Sequence, residues 1–90
     1  MPTPSDVLTQ VINVLAAAFG VDETKITPAS KLEGSLALHG IDGTGALQQL
    51  ESLYKILIPG NRLRNCATVQ DLVDCVIQTI SEEQERLGTP

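Results

Sequence analysis

The side chains that could do chemistry in this 90-residue chain are few and scattered. His39 is the only histidine, and Asp42 follows it three residues later. A histidine base needs a nucleophile and an orienting acid within hydrogen-bond reach. No motif places a serine or cysteine nucleophile beside His39, and its nearness to Asp42 in sequence defines no geometry. We therefore interpret His39 as a partly exposed loop residue and predict that the chain is not an enzyme.

The only two thiols, Cys66 and Cys75, make no recognisable redox or metal motif. Their spacing matches neither a Cys-x-x-Cys pair nor a set of metal ligands. A chain with a single histidine is also a poor candidate for zinc. We expect both thiols to be reduced and no metal to be bound.

Composition predicts one aliphatic globular domain over residues 1–90, with a core at about 5–80 and a polar tail at 81–90. Apolar residues make up 42% of the chain, and Phe19 and Tyr54 are its only aromatic residues. The net charge of −5 would repel nucleic acid and anionic lipid, so neither is expected as a partner. The first residues lack a signal-peptide pattern and no apolar run reaches membrane-spanning length, which predicts a cytoplasmic protein.

Hydrophobic periodicity predicts the first and last helices most clearly. Thr3-Pro4 supplies an N-cap and a first-turn proline, and Gly20 ends the first helix. Thr68 and Asp71 form an approximate capping box for the last helix. Apolar residues recur at helical spacing in both elements. The polar tail is expected to continue the last helix only briefly.

Between these helices the sequence predicts a long loop, a second helix and a short third helix. Residues 21–39 have no period, but isolated apolar residues predict a loop anchored to the core, namely Val21, Ile26, Leu32 and Leu36. The second helix is predicted at about 41–54, weakened by Gly43 and Gly45. Ile58-Pro59-Gly60-Asn61 breaks the chain before a short helical turn at 62–65.

Four short motifs, in order, resemble those of the acyl carrier protein family. They are Phe19-Gly20-Val21, Ile26-Thr27-Pro28, Ile58-Pro59 and Thr68-Val69-Gln70. The resemblance covers about residues 7–80. It implies an all-α four-helix bundle with three main helices, one short helix and a long first loop. It also implies that a serine at the start of the second helix would carry phosphopantetheine.

The family's spacing, laid on this chain without a gap, puts its Asp-Ser-Leu-Asp motif on His39-Gly40-Ile41-Asp42. Gly40 then stands where the modified serine is expected. A second register places the missing serine at Gly43, but it needs three residues inserted before the motif and three deleted within the helix. Ser35 offers a real hydroxyl before a leucine, yet it lies early and would leave three glycines inside the helix that follows.

In the two favoured registers the attachment position is a glycine, Gly40 or Gly43, which has no oxygen for a phosphodiester. No cofactor is therefore expected unless an atypical residue is modified. A phosphate would be stabilised by the N–H groups and dipole of a helix start. Three functions follow as hypotheses: a carrier-like module that acts through protein contacts, a working carrier modified at Ser35 or Thr44, and a bundle that binds an acyl chain noncovalently.

The second helix also departs from the family in charge. Carrier proteins usually present an acidic second helix to basic partner surfaces, whereas this segment holds Gln48 and Gln49 where acids are expected. Electrostatic complementarity mainly sets association rate and partner choice. Standard carrier partners, the enzymes of acyl, polyketide or peptide assembly, should therefore bind weakly. The predicted partner-contact residues are His39, Ile41, Asp42, Gln48, Glu51, Arg62 and Arg64.

Overall fold

A computed structural model of the chain describes residues 3–32 and 41–88, and the side chains of residues 3–32 and 43–85. Its elements are α1 (Pro4–Phe19), a 3₁₀ turn (Glu23–Lys25), α2 (Ile41–Tyr54), α3 (Gly60–Arg64) and α4 (Val69–Gly88). Within these ranges there is no strand, only an isolated bridge between Lys31 and Thr68. The prediction of an all-α, carrier-like bundle of three main helices and one short helix is confirmed.

Helix α1 begins and ends where its capping residues predict. The Thr3 hydroxyl oxygen accepts a hydrogen bond from the Asp6 N–H at 3.2 Å, and Pro4 opens the helix. Gly20 adopts φ +66°, and its N–H donates to the Ala16 carbonyl. This left-handed conformation suits glycine because a Cβ atom would be strained there.

The core is aliphatic and is organised around α1, which packs against both α2 and α4. Val7, Val11 and Leu15 on α1 have no exposed surface, and neither do Leu50 on α2 and Leu72 on α4. Burying such side chains is the main stabilising term in a domain of this size. The helical spacing of these residues therefore determines which face of each helix turns inward.

The first part of the long loop is fixed to the start of α4 by main-chain hydrogen bonds. The N–H groups of Val69 and Gln70 donate to the carbonyls of Ser30 and Pro28, both at 2.9 Å. These donors have no partner within their own helix, so the loop satisfies them. The predicted anchors Ile26 and Leu32 are buried and Val21 is half-buried, while Leu36 lies outside the described residues.

The capping box that opens α4 is confirmed in both directions. The Asp71 N–H donates to the Thr68 hydroxyl oxygen at 3.2 Å. The Asp71 carboxylate accepts from the N–H groups of Ala67 at 3.0 Å and Thr68 at 3.1 Å. These hydrogen bonds, first that from Ala67, lower the pKa of Asp71.

Two boundaries differ from the sequence prediction. Helix α3 begins at Gly60 rather than at 62, because Pro59 serves as its N-cap residue and the Pro59 carbonyl accepts from the Arg62 N–H at 3.0 Å. Helix α4 continues to Gly88, well beyond the brief extension predicted. Its added turns are rich in glutamate and glutamine, which favour helix without an apolar period.

We predict that Asp71→Asn destabilises the chain in a pH-dependent way. Because the folded-state pKa of Asp71 is lowered from 3.8, the carboxylate contributes stability above that value and loses it as the pH falls through the folded-state pKa. Urea unfolding should give a lower free energy of unfolding for the variant at pH 7 and a shrinking difference below about pH 4.

Asp74→Asn is the matched control for this prediction, because Asp74 is an exposed α4 carboxylate that accepts from the Gln70 side chain rather than from main-chain N–H groups. It should have the smaller effect at pH 7. A deficit for Asp71→Asn that stayed constant down to pH 2 would contradict the capping role.

Candidate functional site

The start of α2 is the first part of the candidate site. The helix begins at Ile41, the residue that follows Gly40 in the sequence. Ser35, His39 and Gly40 lie outside the described residues, as do the side chains of Ile41 and Asp42. From Gly43 onward, the structure shows which residues of α2 face the core and which face solvent.

Helix α2 turns Gly43 towards the core. Gly43 is buried, and so are Ala46 and Leu50, which follow it at the three- and four-residue steps of one helix face. A side chain at position 43 would lie on the same inward face of α2 as Ala46 and Leu50. A phosphate on this buried face would lose its hydration, which is energetically costly.

Thr44 and Gly45 lie on the exposed side of the same turn. One residue of α-helix rotates the side-chain direction by about 100°. The Thr44 side chain thus lies on a different face of α2 from position 43, at an exposed position.

From residue 48 to residue 53, the exposed residues of α2 are polar but uncharged, and then apolar. Gln48, Gln49 and Ser52 are exposed, and Leu53 is 50% exposed. The predicted contact residue Glu51 is only half-exposed, because its carboxylate is used inside the protein. This face offers hydrogen-bonding and apolar groups rather than a row of acids.

Two hydrogen bonds to Glu51 fix the connection after α2. The Ile56 N–H donates to the Glu51 carbonyl at 3.0 Å, and the Ile58 N–H donates to the Glu51 carboxylate at 2.7 Å. Lys55 ends the helix with φ +57°, a left-handed conformation that is uncommon for residues other than glycine. The chain leaves α2 in a defined direction.

Leu57 is the most exposed large apolar side chain among the described residues, at 79%. Its neighbours Ile56 and Ile58 are 5% and 7% exposed, so the alternation of an extended segment turns Leu57 outward while both isoleucines fill the core. The sequence analysis did not single out Leu57 as an exposed apolar residue. The sequence did contain a signal for this exposure. Three apolar residues, Ile56-Leu57-Ile58, stand in a row before Pro59, and so short a connection cannot bury all three side chains.

The two predicted basic contact residues differ in their surroundings. The Arg62 guanidinium binds both carboxylate oxygens of Glu82, each at 2.6 Å, and also donates to the Thr79 hydroxyl at 3.3 Å. The hydrogen bond with Glu82 raises the pKa of Arg62 and lowers that of Glu82. Arg62 thus links α3 to α4, whereas Arg64 is exposed.

Metal and membrane sites find no support in the part of the chain that the structure describes. Residues 3–32 and 41–88 contain no cluster of three or more histidine, cysteine, aspartate or glutamate side chains able to hold a metal ion. No helix in those ranges combines the length and the hydropathy that crossing a bilayer requires.

Comparison with known proteins agrees with this architecture. No protein-family model matches the chain. An acyl carrier protein of Rubrobacter xylanophilus is 26% identical to it over 73 residues, which cover 81% of this chain and 90% of that protein. This chain is similar to an acyl carrier protein. The similarity runs through most of both sequences and supports the resemblance carried by the short motifs.

We predict that Glu51→Ala destabilises the chain by about 1–2 kcal/mol, because the nearly buried Ile58 N–H would lose its acceptor. Urea unfolding measures the loss, and faster hydrogen exchange of the Ile58 amide locates it. Ser52→Ala, at an exposed neighbouring position, should stay within about 0.5 kcal/mol. Equal effects of the two variants would show that Glu51 does not fix the connection.

Proposed function

We propose that this chain is a non-catalytic carrier-type module of acyl, polyketide or peptide assembly that bears no covalent phosphopantetheine and acts through protein contacts. The observation that carries the proposal is a retained carrier-like scaffold with glycine where the arm-bearing serine is expected. Glycine has no oxygen with which to form the phosphodiester.

The orientation of α2 supports Gly40 over Gly43 as the equivalent of that serine. An attachment point must face solvent, so that a modifying enzyme can reach it and the arm can extend. Gly43 is buried on the face that packs inward with Ala46 and Leu50. The register that needs no insertion or deletion is therefore also the one that the packing favours.

The surface around the end of α2 supports a role in protein contacts. Leu53 and Leu57 expose apolar area, and Leu57 lies between Ile56 and Ile58, whose N–H groups both donate to Glu51. An exposed apolar side chain on a rigid connection can bind with little further loss of conformational freedom. The partner that fits is a protein whose contact surface is apolar at its centre, rather than the basic patch that an acidic helix attracts.

The charge of this region favours the same kind of partner. Helix α2 presents glutamines where carriers present acids, and Lys55 adds a positive charge at its end. The Arg62 guanidinium is occupied by Glu82 and is less available to a partner than its sequence position suggests. Association with such a partner should depend only weakly on salt, since apolar contacts are not screened.

The experiment for this proposal is intact-mass analysis of the natural chain produced together with its native phosphopantetheinyl transferase. We expect the unmodified mass. A mass increase equal to the phosphopantetheine arm would overturn the proposal. Peptide mapping would then distinguish modification at Ser35 from modification at Thr44, the two hydroxyls on which a working carrier would depend.

A further inference from the structure

Cys66 and Cys75 lie at one surface cavity, although their sequence spacing suggests no common function. Cys66 follows the end of α3, and Cys75 lies in α4. Both line a cavity of about 260 Å³ that is open to solvent. The other lining residues are polar or charged: Arg62, Asn65, Asp71, Asp74 and Gln78.

The two thiols are neighbours held in place by main-chain contacts. Cys66 Sγ donates to the Arg62 carbonyl at 3.4 Å, and the Cys66 N–H donates to the Leu63 carbonyl at 3.1 Å. Both thiols line the same cavity, and each shifts the pKa of the other, as neighbouring groups do. Cys66 is partly exposed and Cys75 is 7% exposed, so a small reagent can reach the pair through the cavity.

We propose that Cys66 and Cys75 are an oxidation site, at which a hydroperoxide converts the two thiols into an intramolecular disulfide that ties the end of α3 to α4. The carrier-type function plays no part in this inference. The site would make the α3–α4 contact sensitive to redox conditions.

The reaction takes two steps and consumes one molecule of peroxide. The Cys75 sulfur, as thiolate, attacks one peroxide oxygen; the O–O bond breaks, and the products are a sulfenic acid and, after protonation, water. The Cys66 sulfur then attacks the Cys75 sulfur, the S–O bond breaks, and a second water leaves. The two thiols lose two electrons and two protons, and hydrogen peroxide is reduced to two molecules of water.

The surroundings assign the first step to Cys75. Burial raises the pKa of Cys75, and among its charged neighbours the Arg62 guanidinium favours the thiolate. Burial also raises the pKa of Cys66, to about 12, with a further contribution from Cys75. Cys66 therefore suits the second step, in which it attacks an adjacent sulfenic acid.

Carboxylates on α4 oppose ionisation of both thiols and set the pH dependence. Asp71 and Asp74 raise the pKa of Cys66, and Glu82 raises that of Cys75. Since the thiolate is the reactive species, oxidation should be slow at pH 7 and accelerate with pH.

The test is oxidation of the reduced natural chain by hydrogen peroxide, followed by alkylation in denaturant and intact-mass analysis. We expect a monomer that has lost two hydrogens and takes up no alkylating reagent, and full recovery with dithiothreitol. The initial rate should rise about tenfold per pH unit between pH 7 and 9, as the thiolate fraction does.

Stability of the oxidised chain shows whether the disulfide fits the fold. We expect its helical circular dichroism to be unchanged and its Tm to be higher than that of the reduced chain. Cys66→Ser should stop at a sulfenic acid that dimedone traps at Cys75. Three results would each overturn the proposal: a lower Tm after oxidation, intermolecular dimers, or two thiols that can still be alkylated. None of these measurements requires the Cys66→Ser variant to fold.

Discussion

The aliphatic packing of α1 against α2 and α4 is the constraint on which the rest of the structure depends. With only two aromatic residues in the chain, the core relies on close contact among branched aliphatic side chains such as Val11, Leu50 and Leu72. That contact fixes the rotation of α2, which turns Gly43 inward and Thr44 outward. Core packing therefore argues against the register that places the attachment point at Gly43.

The chain has a carrier-like helical architecture, but the chemistry that its surface offers differs from that expected of a carrier. A helix start can still favour a phosphate through its N–H groups, but no hydroxyl stands before it in the gap-free register. Glutamines stand along α2 where acids are expected. The connection after α2 exposes Leu57, and Glu51 fixes this connection by accepting a hydrogen bond from the Ile58 N–H. We propose that loss of the attachment point and the apolar rather than acidic surface are separate features, and that both lead away from covalent carrier function.

Sequence patterns predicted the fold well because they report local rules. Thr3, Gly20 and the Thr68–Asp71 pair marked helix ends through capping chemistry, and apolar periods marked the buried faces. Contacts between distant residues were not predictable, because they depend on how helices pack. The Arg62–Glu82 ion pair and the neighbouring thiols belong to this class. At the candidate site, spacing predicts Gly40 as the attachment position, and this stays a prediction, whereas the burial of Gly43 required the structure.

The central claim, that glycine at position 40 is what prevents covalent modification, is tested most directly by restoring the family's motif. The variant His39→Asp/Gly40→Ser, the control His39→Asp/Gly40→Ala and the natural chain would be incubated with coenzyme A and a broad-specificity phosphopantetheinyl transferase, and their intact masses compared. We predict that only the serine variant gains the mass of the arm. Modification of the natural chain would contradict the account. So would modification of a further variant, Gly43→Ser, if the variant with serine at position 40 stayed unmodified.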